Sequence, residues 1–239
     1  MKKFFCGLLV FLAFSVGVGI AQETIDSEEK EKMSYSFGMI IASDLVEMEL
    51  EFDYDAFMRG FRDSMENAET LYTLEEAFES VNTAFLAVEE RFNEQRRLEG
   101  EINLASGEAF LAENAQRPGI EITESGLQFE MISEGNGEIP GPADTVLVHY
   151  TGTTINGFVF DSSYEREEPL EVPLFMVIPG WSEGLRMMKE GGRAKLYIPP
   201  DLAYGEGGAG GFIGPNEVII FEVELLSILG SSEEDFLNY

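Results

Sequence analysis

From Ser27 to about Ala115 the apolar positions recur at helical spacing. Met33, Phe37, Ile40, Ile41 and Leu45 stand three and four residues apart, so they share one face of a first helix. The stretch "FDYDAFMRGFRDSMEN" predicts a second, short helix with Asp53 or Asp55 near its start. In "ETLYTLEEAF", Thr73 and Glu76 match the S/T-x-x-E capping box, which marks the start of a long third helix. That helix carries Leu74, Phe78, Val81, Phe85, Val88 and Phe92 at alternating spacings of four and three, the a/d seam of a heptad repeat. The seam can pack against the chain's own first helices or against a second copy. It fades into "NEQRRLEGE", and no proline follows before Pro118, so the helix is expected to reach about Ala115, roughly 60 Å in all. A polar helix of that length cannot bury both ends on a small domain. Its second half is therefore expected to stand as a solvent-exposed stalk, weakened and open to bending at Gly100 and Gly107.

After "NAQRPGI" the period changes to that of strands and turns. Residues 120–135 hold short alternating segments around Gly126, and "GNGEIPGPAD" is a turn cluster. The strand "TVLVHYTGTT" leads into a hairpin turn at Asn156-Gly157. "PGWSEGLRMMKEGG" predicts the one helix of this half, closed by Gly191, and "RAKLYIPP" and "EVIIFEVELLSIL" predict strands flanking a glycine-rich loop, 205–214. The fold class is α+β: a helical N-terminal module, then an antiparallel sheet with one helix covering a face.

Composition narrows the setting. The first 21 residues hold two lysines, an apolar run, and small residues at Gly19 and Ala21, the pattern of a signal peptide cut after Ala21. The run is also close to the length of a retained membrane anchor. The domains expected are a leader at 1–21, a helical module with its connecting helix at 22–117, and a sheet domain with a short acidic tail at 118–239. Cys6 lies within the leader, so the mature chain has no thiol chemistry. The formal net charge is −30, with 24 acidic and 8 basic side chains in 22–117 and 21 and 5 in 118–239. Nucleic acid and anionic membrane are excluded as partners, because phosphate binding needs a basic footprint. The evenly spread acids read as a self-repelling surface. No calcium loop accompanies them, and His149, the only histidine, cannot build a zinc site alone.

Between residues 146 and 185 an alternating apolar strand stands beside an Asp and a Trp ringed by small residues, with neither a nucleophile–base pair nor a ligand set. The ordered series V-x-V-x-Y-x-G, V-F-D-S-S, V-I-P-G-W, M-x-x-G, Y-I-P-P-x-x-A-Y-G and F-x-V-E-L-L resembles the FKBP-type peptidyl-prolyl cis–trans isomerases over about 110 residues. The helical half, with "GEAFLAENAQRPGIEITESGLQF", resembles the dimeric, exported subgroup of that family typified by the macrophage infectivity potentiator. The resemblance implies a twisted sheet wrapped on a short helix, a homodimer through residues 22–117, and export to the periplasm or outer surface of a Gram-negative-type bacterium. The partners it implies are flexible or unfolded polypeptides containing proline. No cofactor or metal is expected, since prolyl rotation makes no covalent bond.

By this resemblance Tyr150, Phe160, Asp161, Leu170, Val177, Ile178, Trp181, Tyr204 and Phe221 line a proline pocket, with Phe212 and Ile213 covering its edge. Trp181 forms the floor. The Ile178 backbone N–H and the Tyr204 hydroxyl donate to substrate carbonyls, and Asp161 orients nearby tyrosine hydroxyls and adds a field at the rotating carbonyl. Taken singly, Tyr150, Val177, Ile178 and Phe221 read as ordinary core residues. Asp161 is less ordinary, because a carboxylate between Phe160 and a serine pair needs partners if buried. His149 falls on the opposite strand face from Val148 and Tyr150 and reads as structural. The chain departs from the family at Leu170 and Val172, where members often carry phenylalanines, so macrolide inhibitor binding is expected to weaken. Phe175 is expected to fill part of that gap. Two activities compete on these residues: an isomerase for exported proteins, and a dimeric client-binding module whose isomerase fold serves as a grip. A purely structural adhesin has little support.

Overall fold

The computed structural model describes residues 26–231; the expected leader and the acidic tail lie outside the described residues. The chain divides into two compact units, with the boundary between Phe78 and Glu79.

The first unit holds α1 (Ser27–Glu47) and α2 (Tyr54–Met65). Both begin at an aspartate whose side chain accepts from a first-turn N–H, Asp26 from Glu29 at 2.8 Å and Asp53 from Ala56 at 2.9 Å. Neither helix buries a single residue. α3 (Leu74–Asn114) starts with the expected box: Glu76 N–H donates to Thr73 Oγ1 at 3.2 Å, and Thr73 N–H donates to Glu76 Oε2 at 2.8 Å. Of the seam residues, Val88 is 7% exposed, whereas Phe78, Phe85 and Phe92 are 72%, 44% and 41% exposed.

The stalk expected of the second half of α3 is not what the structure holds. Gly100, Gly107 and Asn114 are buried, and the helix runs unbroken through both glycines, packed on the sheet unit. A Cβ at Gly107 would come within 2.6 Å of Val218 Cγ2, and one at Gly100 within 3.2 Å of Pro215 Cβ. The missing side chains let the helix backbone approach; they do not bend it. At its end Asn114 Nδ2 donates to Gln128 Oε1 at 2.8 Å, and Gln128 Nε2 to the Leu111 carbonyl at 2.8 Å.

The second unit is built on an antiparallel sheet: β1 (Ile120–Ile122), β2 (Gln128–Ser133), β3 (Asp144–Thr154), β4 (Val159–Ser162), β5 (Leu170–Pro173), β6 (Arg193–Ile198) and β7 (Ile219–Ser231). The order is β1-β2-β6-β7-β3-β4, with β5 also on β3. β3 is long enough for two partners on one edge: Thr145–Val148 pair with β5 and Thr151–Thr153 with β4. Alternation along β3 sends Val146, Val148 and Tyr150 inward. They meet Trp181 and Leu185 of α4 (Pro179–Leu185), and Leu196, Phe221 and Val223 close the core. α4 is shorter than the pattern to Gly191 suggested. Beyond Leu185 the chain turns tightly, with Met188 N–H on the Leu185 carbonyl at 3.1 Å and the Met188 side chain buried.

Candidate active site

The box of aromatic rings rests on one feature of β3. Gly152 lies where a Cβ would meet Phe160 at 2.6 Å and Phe221 at 2.7 Å, so only a bare Cα lets both rings close over the strand. Phe221 then stands edge-on to Phe160 at 5.5 Å, to Trp181 at 4.9 Å and to Tyr150 at 5.9 Å between centroids. Tyr150 and Trp181 meet at 5.0 Å and 83°. These edge-to-face contacts suit the ring quadrupoles and hold each ring at a fixed tilt. Trp181 is buried, and its Nε1–H has no hydrogen-bond partner among the described residues. Burying such a donor costs about 1–3 kcal/mol, which the ring contacts must offset.

The carboxylate is anchored at the rim of this box. Tyr150 Oη donates to Asp161 Oδ2 at 2.5 Å, and Arg166 both pairs with Asp161 Oδ1 and donates to Tyr150 Oη at 2.8 Å. The Arg166 guanidinium also lies 5.5 Å from the Tyr150 ring centroid. Asp161 is 42% exposed, so the triad is wet on one side. Burial first, and then the bond to Asp161, push the Tyr150 phenol above its ordinary value. The Tyr150 backbone is fixed by Ser163, which is fully buried: its Oγ accepts from Tyr150 N–H at 2.8 Å and donates to the Tyr150 carbonyl at 3.2 Å. His149 has the structural place expected of it, with Nδ1 2.9 Å from Ser163 Oγ and its ring stacked on Tyr164 at 4.5 Å.

Ile178 precedes α4, where its carbonyl takes the N–H groups of Trp181 and Ser182 at 3.0 and 3.1 Å. Its own N–H has no partner among the described residues. Tyr204 likewise makes no hydroxyl hydrogen bond among them, and burial followed by the Asp161 charge raises its pKa. Asp161 thus orients one tyrosine, Tyr150, rather than both; the Arg166 guanidinium and the Tyr150 hydroxyl occupy its oxygens. Leu170, Val177 and Ile178 pack at the edge of the core, and Ile213 lies within it. Phe212 stands apart from the ring cluster. It is exposed and stacks on Phe158, with centroids 6.4 Å apart. Phe175 is about half exposed on a one-turn helix, where Leu174 takes the buried position.

Arg166, Ser163 and Phe158 are the positions that the sequence reading passed over. For Arg166 a signal existed, since it is the only basic residue between Arg117 and Arg186 in a strongly acidic chain. Ser163 stood in the V-F-D-S-S motif without a role, and Phe158 carried no signal, because their partners, Tyr150 and Phe212, come from other segments of the chain.

An apolar box of rings beside a few polar hydrogen-bond donors is an arrangement suited to non-covalent chemistry. The family model described as "FKBP-type peptidyl-prolyl cis-trans isomerase" matches residues 137–226, and the model for the domain amino-terminal to it matches 30–131. The FKBP-type 22 kDa peptidyl-prolyl cis-trans isomerase of Escherichia coli is 42% identical over 207 residues, 86% of this chain and 98% of that one. The outer membrane protein MIP of Legionella longbeachae is 35% identical over 226 residues, 95% and 97% of the two chains. Among solved structures, that of FkpA from Escherichia coli superposes with a TM-score of 0.68 at 34% identity, covering 86% of this chain and 98% of that one. The chain belongs to the FKBP-type peptidyl-prolyl cis–trans isomerases, and its activity is rotation of the prolyl peptide bond.

Proposed function

We propose that this is an exported, homodimeric prolyl isomerase that assists folding polypeptides, and that its catalysis depends on the box of Tyr150, Phe160, Trp181 and Phe221. The observation that carries the reading is the pairing of that apolar aromatic box with two donors unengaged among the described residues, the Ile178 N–H and the Tyr204 hydroxyl. Rotation about an amide breaks its resonance against a barrier of about 18–20 kcal/mol. The planar amide is strongly dipolar and the twisted one less so, so transfer from water to an apolar cavity disfavours the ground state more than the twisted state. Donors aimed at the flanking carbonyls add binding that tightens as the bond turns. Trp181 receives the proline ring, while Asp161, held by Tyr150 and Arg166, sets the wall and the local field.

The site test is a protease-coupled assay on the chain lacking its leader. Asp161→Ala and Tyr204→Phe should each lower kcat/KM about tenfold while leaving the circular dichroism spectrum unchanged. Unaltered rate constants in both would refute the assigned roles.

Export is supported by the leader pattern and by the name of the Legionella relative, an outer membrane protein. Dimerisation is supported by the apolar surface of the N-terminal half. Phe37, Ile40, Phe57 and Phe61 are all exposed in helices without a buried residue. Macrolide inhibitors should bind more weakly than to relatives with phenylalanine at the place of Leu170.

A further inference from the structure

The loop that follows β6 carries Tyr204 and Ile213 of the candidate site, and Phe212, which stands apart from the rings, and it is rich in glycine. Gly205, Gly208, Gly210 and Gly211 all have positive φ, and Gly207 and Gly214 stand among them. Such a segment has many backbone conformations to choose from. Its internal ties are short-range: a two-residue bridge between Ala209 and Ile213, the Gly208 and Asn216 N–H groups on the Gly205 carbonyl at 3.4 and 2.9 Å, the Phe212 N–H on the Ala209 carbonyl at 3.2 Å, and the Gly214 N–H on Glu217 Oε2 at 2.7 Å. A cavity of about 470 Å³ opens between this loop and Arg96 and Glu99 of α3, so an untied loop has space to move.

Two further ties reach the loop from α3. Arg96 Nη2 donates to the Gly207 carbonyl at 2.8 Å, and Asn103 Nδ2 to the Pro215 carbonyl at 2.9 Å. Arg96, Gly100, Asn103 and Gly107 are spaced by four, three and four residues, one face of the helix. The two donors therefore reach over the loop on the same line along which the two glycines let the backbone close on Pro215 and Val218. Both hydrogen bonds bridge more than a hundred residues of sequence, and both end on carbonyls that bracket Phe212 and Ile213.

We infer that α3 is a splint for the pocket loop: Arg96 and Asn103 are positioning residues that hold Tyr204, Phe212 and Ile213 in place for catalysis. The helical half then enters the isomerase reaction directly, apart from any dimer it forms. The inference rests on the assignment of the aromatic box as the proline site.

The experiment uses the full mature chain and measures backbone hydrogen exchange and peptide isomerisation together. In Arg96→Ala/Asn103→Ala, exchange at the Ala209, Ile213 and Asn216 amides should rise about fivefold or more, while Leu196 and Val223 in the sheet stay unchanged. The kcat/KM for a tetrapeptide should fall about three- to tenfold. Arg96→Lys alone, which keeps a donor for the Gly207 carbonyl, should stay within twofold of wild type. Gly107→Leu, which lifts the helix from Val218 while leaving both donors intact, should reproduce the double variant. Unchanged loop exchange overturns the splint, and so does faster exchange with kcat/KM within twofold of wild type. Tyr204→Phe separates this from the site assignment: if it leaves the rate unaltered while the double variant slows catalysis, the role given to Tyr204 fails and the splint stands.

Discussion

At the scale of single residues, the site is governed by which polar groups are already engaged. Asp161 engages Tyr150 and Arg166 with its two oxygens, and Tyr204 makes no hydroxyl hydrogen bond among the described residues. Both tyrosines have folded-state pKa values raised above 10.0, mainly by burial. In the unfolded chain a phenol titrates near 10. Above that pH the unfolded state releases protons that the folded state keeps, so stability falls as pH rises, through the raised folded values; below about 9 these groups contribute no slope. Chemical denaturation of wild type and Tyr204→Phe across pH 7–11 tests the sign. The stability difference between them should stay constant to about pH 9 and then shift against the wild type. A difference constant to pH 11 would remove Tyr204 from the titration.

Among the elements, α3 does two separate things along its 41 residues. Its first half carries a phenylalanine seam that is largely uncovered, and its second half lies on the sheet unit through Gly100, Gly107 and Asn114. Every member of the buried core, from Leu127 to Leu225, nevertheless falls within 118–239. We therefore expect the fragment 118–239 to fold and to isomerise peptides, though at a lower kcat/KM than fragment 79–239, which keeps the Arg96 and Asn103 ties. Activity assays on both fragments check this. Equal rates would leave α3 without a part in catalysis, and an insoluble short fragment would show that the sheet needs the helix to fold.

For the whole molecule, the deciding quantity is apolar area left in water. Phe78, Phe85 and Phe92 would each contribute on the order of 1.5–3 kcal/mol if buried, and α1 and α2 bury no residue of their own. A two-fold partnership would close on itself and cover both seams. Two catalytic units in one assembly raise the effective concentration for a client with several prolines. Sedimentation equilibrium should find a dimer at micromolar concentration and a monomer for Phe85→Asp. The variant should keep its rate on tetrapeptides and lose efficiency in refolding proteins. A monomeric wild type would end this reading.

The helices were legible because their signals are local. A capping box, a heptad seam and an unbroken run without proline each act within a few residues, and α1, α2 and α3 begin where those signals stand. Strand alternation sends Tyr150 inward and His149 outward; the grouping of Tyr150 with Phe160, Trp181 and Phe221 came only from the family resemblance of the motif series. What the sequence could not determine are contacts between segments far apart in the chain. Gly100 and Gly107 look like weaknesses in a helix until Pro215 and Val218 are seen against them. Arg166 is one more surface charge until β4 and β3 bring Asp161 and Tyr150 to it. Phe175 and Leu174 compete for one buried place, and only packing chose Leu174. Sequence period selects the face of an element that turns inward; which surface it then meets is set by how the elements pack in three dimensions.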